Sequence, residues 1–234
     1  MMIPRSPSCR ECGLCEVPRE AELSSLVESV VREVMGTLGK VGDRKIPIGV
    51  SARHMHVCQE DLEQLFGVGH PLTKIRDLNQ PGEFAAEETV TVVGPKRRFF
   101  DVRILGPVRR RTQVELAYSD GIYLGLDLPH RLSGDIAGSA PIILVGPKGV
   151  RNLSEGAIRA KRHIHVNPQD AARLGVRNGQ AVSVRTTGEM SLTFNNVVVR
   201  EGEGLKLEMH VDTDEANAAG LRCGDPVELL PDRA

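Results

Sequence analysis

Two His-x-His pairs, His54-Met55-His56 and His163-Ile164-His165, are the residues of this chain whose types and spacing point most directly to chemistry. Seven histidines scattered at random over 234 residues would form roughly 0.2 such pairs. On a β-strand, residues two apart point to the same face, so both imidazoles of a pair can reach one ion. Clustered neutral imidazoles favour zinc or a neighbouring transition metal, whereas calcium and magnesium prefer oxygen ligands. A single pair is as readily explained as two hydrogen-bonded strand histidines. Its recurrence is not.

The pairs belong to an internal repeat. His165-Val166 opens the stretch HVNPQDAARLGVRNGQAVSV, and 45 residues later His210-Val211 opens HVDTDEANAAGLRCGDPVELL. Asp170 matches Glu215, Gly175 matches Gly220, Gly179 matches Gly224 and Val182 matches Val227. A third opening occurs at His56-Val57, with Asp61 five residues on, and the frame Arg53 to Val57 recurs as Arg162 to Val166. Reuse of one packing unit accounts for the glycines and valines, but gives no reason for a histidine in every copy. His210 therefore joins the candidates. His70 and His130, beside Pro71 and Pro129, read as surface residues in loops.

Three protein ligands and an open position make a catalytic zinc site rather than a structural one. Two such sites need six ligands, and the histidines supply five, so a carboxylate should supply the sixth. Glu115 offers one, in a β pattern just after the turn Gly106-Pro107-Val108-Arg109-Arg110-Arg111. Taken alone, Glu115 reads as a solvated strand residue and the arginines as a solvated patch. Facing metals, the same turn becomes a phosphate site, because the guanidinium is a planar donor fork suited to that anion.

The elements that must position these residues are short strands: Ile46–Val50, Thr89–Val93, Phe99–Leu105, Gln113–Ala117, Pro141–Val145, Ala181–Arg185, Asn195–Val199, Leu205–Met209 and Val227–Leu230. Short helices are predicted at Glu60–Phe66, Gln169–Arg173 and Asp214–Ala218. This order is mostly β with little βαβ alternation, which points to barrels. Upstream, Leu23, Leu26, Val27, Val30, Val31, Val34, Met35 and Leu38 mark one face of a helix that stops near Gly39, and a polar linker follows.

Composition narrows the function classes. Forty per cent hydrophobic and 26% charged residues suit a globular core. Thirty basic against 31 acidic side chains leave a net charge of −1, so no global field attracts nucleic acid or an anionic membrane. No apolar run approaches the roughly 20 residues of a spanning helix, and the N-terminus lacks a secretory pattern, which predicts a soluble cytoplasmic protein. Aromatics at 3% without tryptophan argue against recognition by base stacking. Five cysteines, with Cys9, Cys12 and Cys15 crowded together, do not make a disulfide framework, and Cys58 reads as a small core residue.

VSARHMHV (50–57), GPVRRRTQVE (106–115), RHIHV (162–166) and HVDTDEANAAG (210–220) resemble, in order and over about residues 46–230, the phosphate propanoyltransferases of bacterial microcompartments. That resemblance implies a zinc-dependent phosphotransacylase, interconverting an acyl-CoA (propanoyl or acetyl) and phosphate with an acyl phosphate and CoA. It implies a mostly β fold of two small β-barrel domains with short capping helices. One barrel would comprise 46–52 and 161–234 and the other 53–160, preceded over 1–45 by the cysteine-containing tail, an amphipathic helix and a linker. Carried over by motif, His54, His56 and Glu115 would bind one zinc ion, and His163, His165 and His210 a second. Arg109 would hold phosphate for direct attack on the thioester, without an acyl-enzyme. Val50, Ser51, Ala52, Lys96, Arg103 and Asn217 would contact CoA. The helix over 20–39 would dock on microcompartment shell or cargo proteins, placing a homodimeric enzyme in the compartment lumen. The cysteine cluster is no part of this pattern. The residues read without the resemblance leave two alternatives open: another zinc hydrolase or lyase, and a non-catalytic metal-binding component.

Overall fold

The computed structural model describes residues 27–31 and 44–231. The chain divides into two compact units, Met1–Arg44 and Lys45–Ala234. In the first, residues 27–31 are helical; the rest of the helix expected over 20–39, with Cys9, Cys12, Cys15 and the linker, lies outside the described residues.

In the second unit, strand β1 (Lys45–Ser51) leads directly into β2 (His54–His56) and helix α1 (Gln59–Phe66). Then come β3 (Lys74–Asp77), β4 (Phe84–Val93), β5 (Arg98–Gly106), β6 (Gln113–Glu115), α2 (Tyr118–Leu124), β7 (His130–Arg131), β8 (Ala140–Val145) and β9 (Val150–Ala160). The remainder is β10 (His163–Val166), α3 (Pro168–Leu174), β11 (Ala181–Arg185), β12 (Thr193–Glu201), β13 (Glu208–Asp212), α4 (Thr213–Ala219) and β14 (Pro226–Leu229). Six strands close a barrel in the order β1, β13, β10, β12, β11, β14. A second ring runs β4, β5, β2, β6, β9, β8 and back to β4, carrying β3 and β7 at its margins. This is the mostly β, two-barrel architecture expected from the sequence.

Each barrel is filled by the apolar side of its alternating strands. Ile48, Ile164, Val199, Met209 and Val227 line the first, and Met55, Val90, Ile104, Val114 and Leu144 the second. The 45-residue repeat is a strand followed by a capped helix. Asn167 Oδ1 accepts from the Asp170 N–H and Asp212 Oδ1 from the Glu215 N–H, both at 2.8 Å, satisfying orphan donors of α3 and α4. Both helices end in a left-handed turn, at Gly175 (φ 69°) and Gly220 (φ 63°), which glycine enters without steric cost. The matched residues of the repeat thus include the first-turn acids Asp170 and Glu215, the helix stops Gly175 and Gly220, and the core valines Val182 and Val227.

Several elements depart from the sequence reading: β3 and β7 form where no strand is predicted, and β4 begins at Phe84 rather than Thr89. Helix α2 forms where no helix is predicted, because Gly121 and the β-preferring Ile122 and Tyr123 weaken its helix signal. Strand β9 is polar and contains Gly156, so its pairing with β6, β7 and β8 is written in its neighbours rather than in its own pattern. Strand β13 starts at Glu208 rather than Leu205, which brings His210 inside the strand.

Candidate functional site

The chain crosses between the barrels twice, through Ala52-Arg53 and through Lys161-Arg162, and a histidine pair follows each crossing. Met55 and Ile164 are fully buried in the two cores, so strand alternation turns His54/His56 and His163/His165 to the opposite face. The crossings also orient the first imidazole of each pair. His54 Nδ1 lies 2.8 Å from the Ala52 carbonyl and His163 Nδ1 2.8 Å from the Lys161 carbonyl. A ring that donates from Nδ1 presents the lone pair of Nε2 to a ligand.

Strand pairing completes each group. In the second barrel β2 runs antiparallel to β6, setting His54 opposite Glu115. In the first, β10 runs antiparallel to β13, setting His163 opposite His210. The potential ligand atoms of His54, His56 and Glu115 lie within 4.8 Å of one another, as do those of His163, His165 and His210. His54 Nε2 and His56 Nε2 are each 3.7 Å from a Glu115 oxygen, beyond hydrogen-bond range. Bonds of about 2.0–2.2 Å to zinc place neighbouring ligand atoms roughly 3.4 Å apart, so the spacing suits a shared ion. In the other group His165 Nδ1 is buried without a hydrogen bond, and His210 Nε2 lies 3.0 Å from Glu208 Oε2. An orphaned imidazole nitrogen, together with donor sets of two imidazoles and a carboxylate or of three imidazoles, fits zinc-type ions.

The electrostatics match that fit. Burial, followed by the charges of His54 and Arg109, holds His56 down to about 3. Burial and His210 hold His163 at about 4, while burial with His163 and His210 holds His165 at about 3. Burial alone would raise Glu115; the facing His54 and His56 override it and pull the carboxyl down to about 2. At neutral pH His56, His163 and His165 therefore present imidazole lone pairs and Glu115 a carboxylate, the protonation states a metal requires. His54, Glu115, His163 and His210 border one cleft between the barrels, together with Ser51 and Ala52.

Arg109 lies in the loop after β5. Its Nη2 donates to Glu83 Oε1 (2.8 Å) and its Nη1 to Ser133 Oγ (3.2 Å). Gln113 Nε2 donates to the same Ser133 hydroxyl (2.9 Å) and to Glu115 Oε1 (2.5 Å). Arg109 is thereby joined to the first ligand group through Ser133 and Gln113. Sequence reasoning missed Glu83, Ser133 and Gln113, since each acts through partners that no spacing pattern marks.

Of the other expected contact residues, Val50 donates its N–H to Cys223 Sγ at 3.3 Å. Lys96 packs its stem on Gly125, Arg103 Nη1 donates to the Ala86 carbonyl at 2.9 Å, and Asn217 is exposed on α4. These four stand outside the lining of the cleft. His70 and His130 are not free surface residues. His70 stacks on Phe66 at 5.2 Å with Nε2 2.9 Å from Glu88, and His130 is half-buried on β7, held at about 4 by burial and then by Arg159, Arg162 and Lys161. Cys58 is half-buried beside Thr112 rather than in the core, because it caps α1 where the chain leaves the barrel.

The phosphate propanoyltransferase family model matches residues 47–222. A phosphate propanoyltransferase of Lachnoclostridium phytofermentans is 51% identical over 210 residues, covering 87% of this chain and 98% of that one. One from Thermotoga maritima is 49% identical over 201 residues (86% and 95%), and one from Salmonella typhimurium 48% over 196 residues (83% and 91%).

Proposed function

The chain belongs to the phosphate propanoyltransferase family, an acyltransferase family, and from that premise we propose that it is a zinc-dependent phosphotransacylase working in the cleft between its barrels. One observation carries the reading: two members of the three-ligand group in each barrel, His54 and Glu115 of one and His163 and His210 of the other, border the same cleft. Zinc bound to these groups would supply Lewis acidity toward phosphate oxygens and the thioester carbonyl.

The chain's own residues do the rest. Arg109, aimed by Glu83 and Ser133, holds phosphate by a forked pair of N–H donors and strips water from a heavily hydrated nucleophile. Only one N–H on each terminal nitrogen is spent on Glu83 and Ser133, which leaves donors for the anion. His56, His163 and His165 remain neutral, so none takes up the proton that would remove its ligating lone pair. The backbone at Val50, Ser51 and Ala52, with Lys96, Arg103 and Asn217, forms the CoA-binding set, and the acyl group passes directly from sulfur to phosphate oxygen. Residues 20–39 serve as the docking segment for a microcompartment, with a homodimer as the working unit.

The test is release of free thiol from propanoyl-CoA and acetyl-CoA, with and without phosphate, using metal-free and zinc-reloaded protein. Phosphate-dependent release that is lost on metal removal and restored by zinc supports the reading. Equal release without phosphate overturns it in favour of a thioester hydrolase, and full activity without metal removes the zinc requirement.

A further inference from the structure

The two ligand groups are built on one plan with four corners, and three corners of each carry a candidate ligand. Across β2 and β6, His54 faces Glu115 and His56 faces Gln113. Across β10 and β13, His163 faces His210 and His165 faces Glu208. Gln113 and Glu208 thus occupy the same fourth corner, each two residues before a candidate ligand and on its face of the strand. The repeat agrees, since Glu208-Met209-His210-Val211 overlies His163-Ile164-His165-Val166 with glutamate in place of the first histidine.

The chemistry of each fourth corner is the complement of its neighbour. Beside the carboxylate of Glu115 stands an amide donor, with Gln113 Nε2 at 2.5 Å. Beside the imidazole of His210 stands an acceptor, with Glu208 Oε2 at 3.0 Å from Nε2. Both side chains are buried and held from behind. Gln113 Oε1 accepts from the Gly134 N–H (2.7 Å), and Glu208 Oε2 accepts from Gln80 Nε2 (3.0 Å). Gln80 comes from the β3–β4 loop of the other barrel and also brackets Lys206, donating to its carbonyl and accepting from its N–H, both at 3.1 Å. Space for the Glu208 carboxylate is kept by Gly49, where a Cβ would fall 2.9 Å from Glu208 Cδ and Oε1.

We propose that Gln113 and Glu208 are matched positioning residues, Gln113 for Glu115 and Glu208 for His210, each setting the orientation and basicity of one metal ligand. The assignment rests on reading the two groups as metal sites. A histidine ligand backed by a carboxylate is oriented and made more basic, while a carboxylate ligand is oriented by a donor. Through Gln80, Glu208 also ties the second site to the other barrel.

Full-length protein is stripped of metal and titrated with zinc against a chromophoric chelator, and with cobalt(II) followed by its visible spectrum. Wild type is expected to bind two ions. Glu208→Ala should weaken one site and Gln113→Ala the other, each by about 10–100-fold, the cost seen when such supporting groups are removed. Glu208→Gln, nearly isosteric, should lose less because its amide oxygen still accepts. Glu115→His alone should bind its ion poorly beside the amide of Gln113. Adding Gln113→Glu should restore binding and bring the cobalt spectrum of that site toward that of the three-histidine site. A helper with a purely structural role would not give this rescue. Unchanged affinities and spectra in Glu208→Gln and both alanine variants overturn the proposal, as does a double variant no tighter than Glu115→His. Wild type that binds neither ion overturns the metal reading itself.

Discussion

Acidifying the metal-free protein from pH 7 to pH 5 is expected to destabilise it sharply, and the two most buried of its four depressed imidazoles, His56 and His163, carry a large share of the effect beside His165 and His130. Burial holds His56 at about 3, and burial with His210 holds His163 at about 4, against an ordinary value of 6.5. Because the folded values are depressed, the unfolded chain takes up protons that the native site refuses. The stability these residues contribute is therefore complete above about pH 6.5 and is lost as pH falls toward their folded values. Linkage puts the loss between pH 7 and pH 5 at about 2 kcal/mol for each imidazole. In a domain of this size that pair lowers the melting temperature by roughly 8–16 °C. Glu115 adds nothing in this window, since a carboxyl held at about 2 loses its contribution only as pH drops below the ordinary 4.5. The assay is thermal unfolding of chelator-treated protein, followed by circular dichroism at constant ionic strength, for wild type and for the double variant His56→Gln/His163→Gln. The variant should show a flatter dependence, with His165 and His130 supplying what remains. Wild type as flat as the variant would refute the premise that these rings are buried neutral.

Other perturbations separate the parts of the site. Arg109→Ala should abolish phosphate-dependent thiol release while metal content and melting temperature stay near wild type; Arg109→Lys should rescue it only in part, since a point charge lacks the fork. Retained activity in Arg109→Ala moves the anion role elsewhere. Gly49→Ala, which crowds Glu208, should cost about 1–3 kcal/mol in denaturant unfolding and weaken the second zinc site; normal zinc affinity would show that Glu208 can yield freely. Ile104→Ala, in the core of the second barrel with no exposed surface, should cost about 2–5 kcal/mol, a loss read from the urea midpoint. Removal of residues 1–40 should leave active enzyme that no longer enters microcompartments; unfolded or inactive protein would assign the helix to the fold instead.

Local periodicity made much of this molecule legible in its sequence. A strand turns every second side chain to one face, so His-x-His put both imidazoles of a pair on one face, opposite the face that Met55 and Ile164 turn to a core. Caps and left-handed glycines lie within a few residues of the helices they bound, which is why the repeat exposed α3 and α4. Glu115 stood out through residue type beside a turn of three arginines, among which only the family resemblance singled out Arg109. What only the tertiary structure decided depends on partners far apart in the chain. The closure of β13 beside β10 selects His210 to face His163, and the pairing of β6 with β2 selects Glu115 to face His54. The carboxylate of Glu208 is fixed by Gln80, 128 residues away, and the guanidinium of Arg109 by Glu83 and Ser133. Such choices are invisible to any short window, because the free energy that makes them comes from burying groups that meet only once both barrels have closed. The sequence determined which residues have the chemistry of a site, and the fold decided which of them stand beside one another and what holds them there.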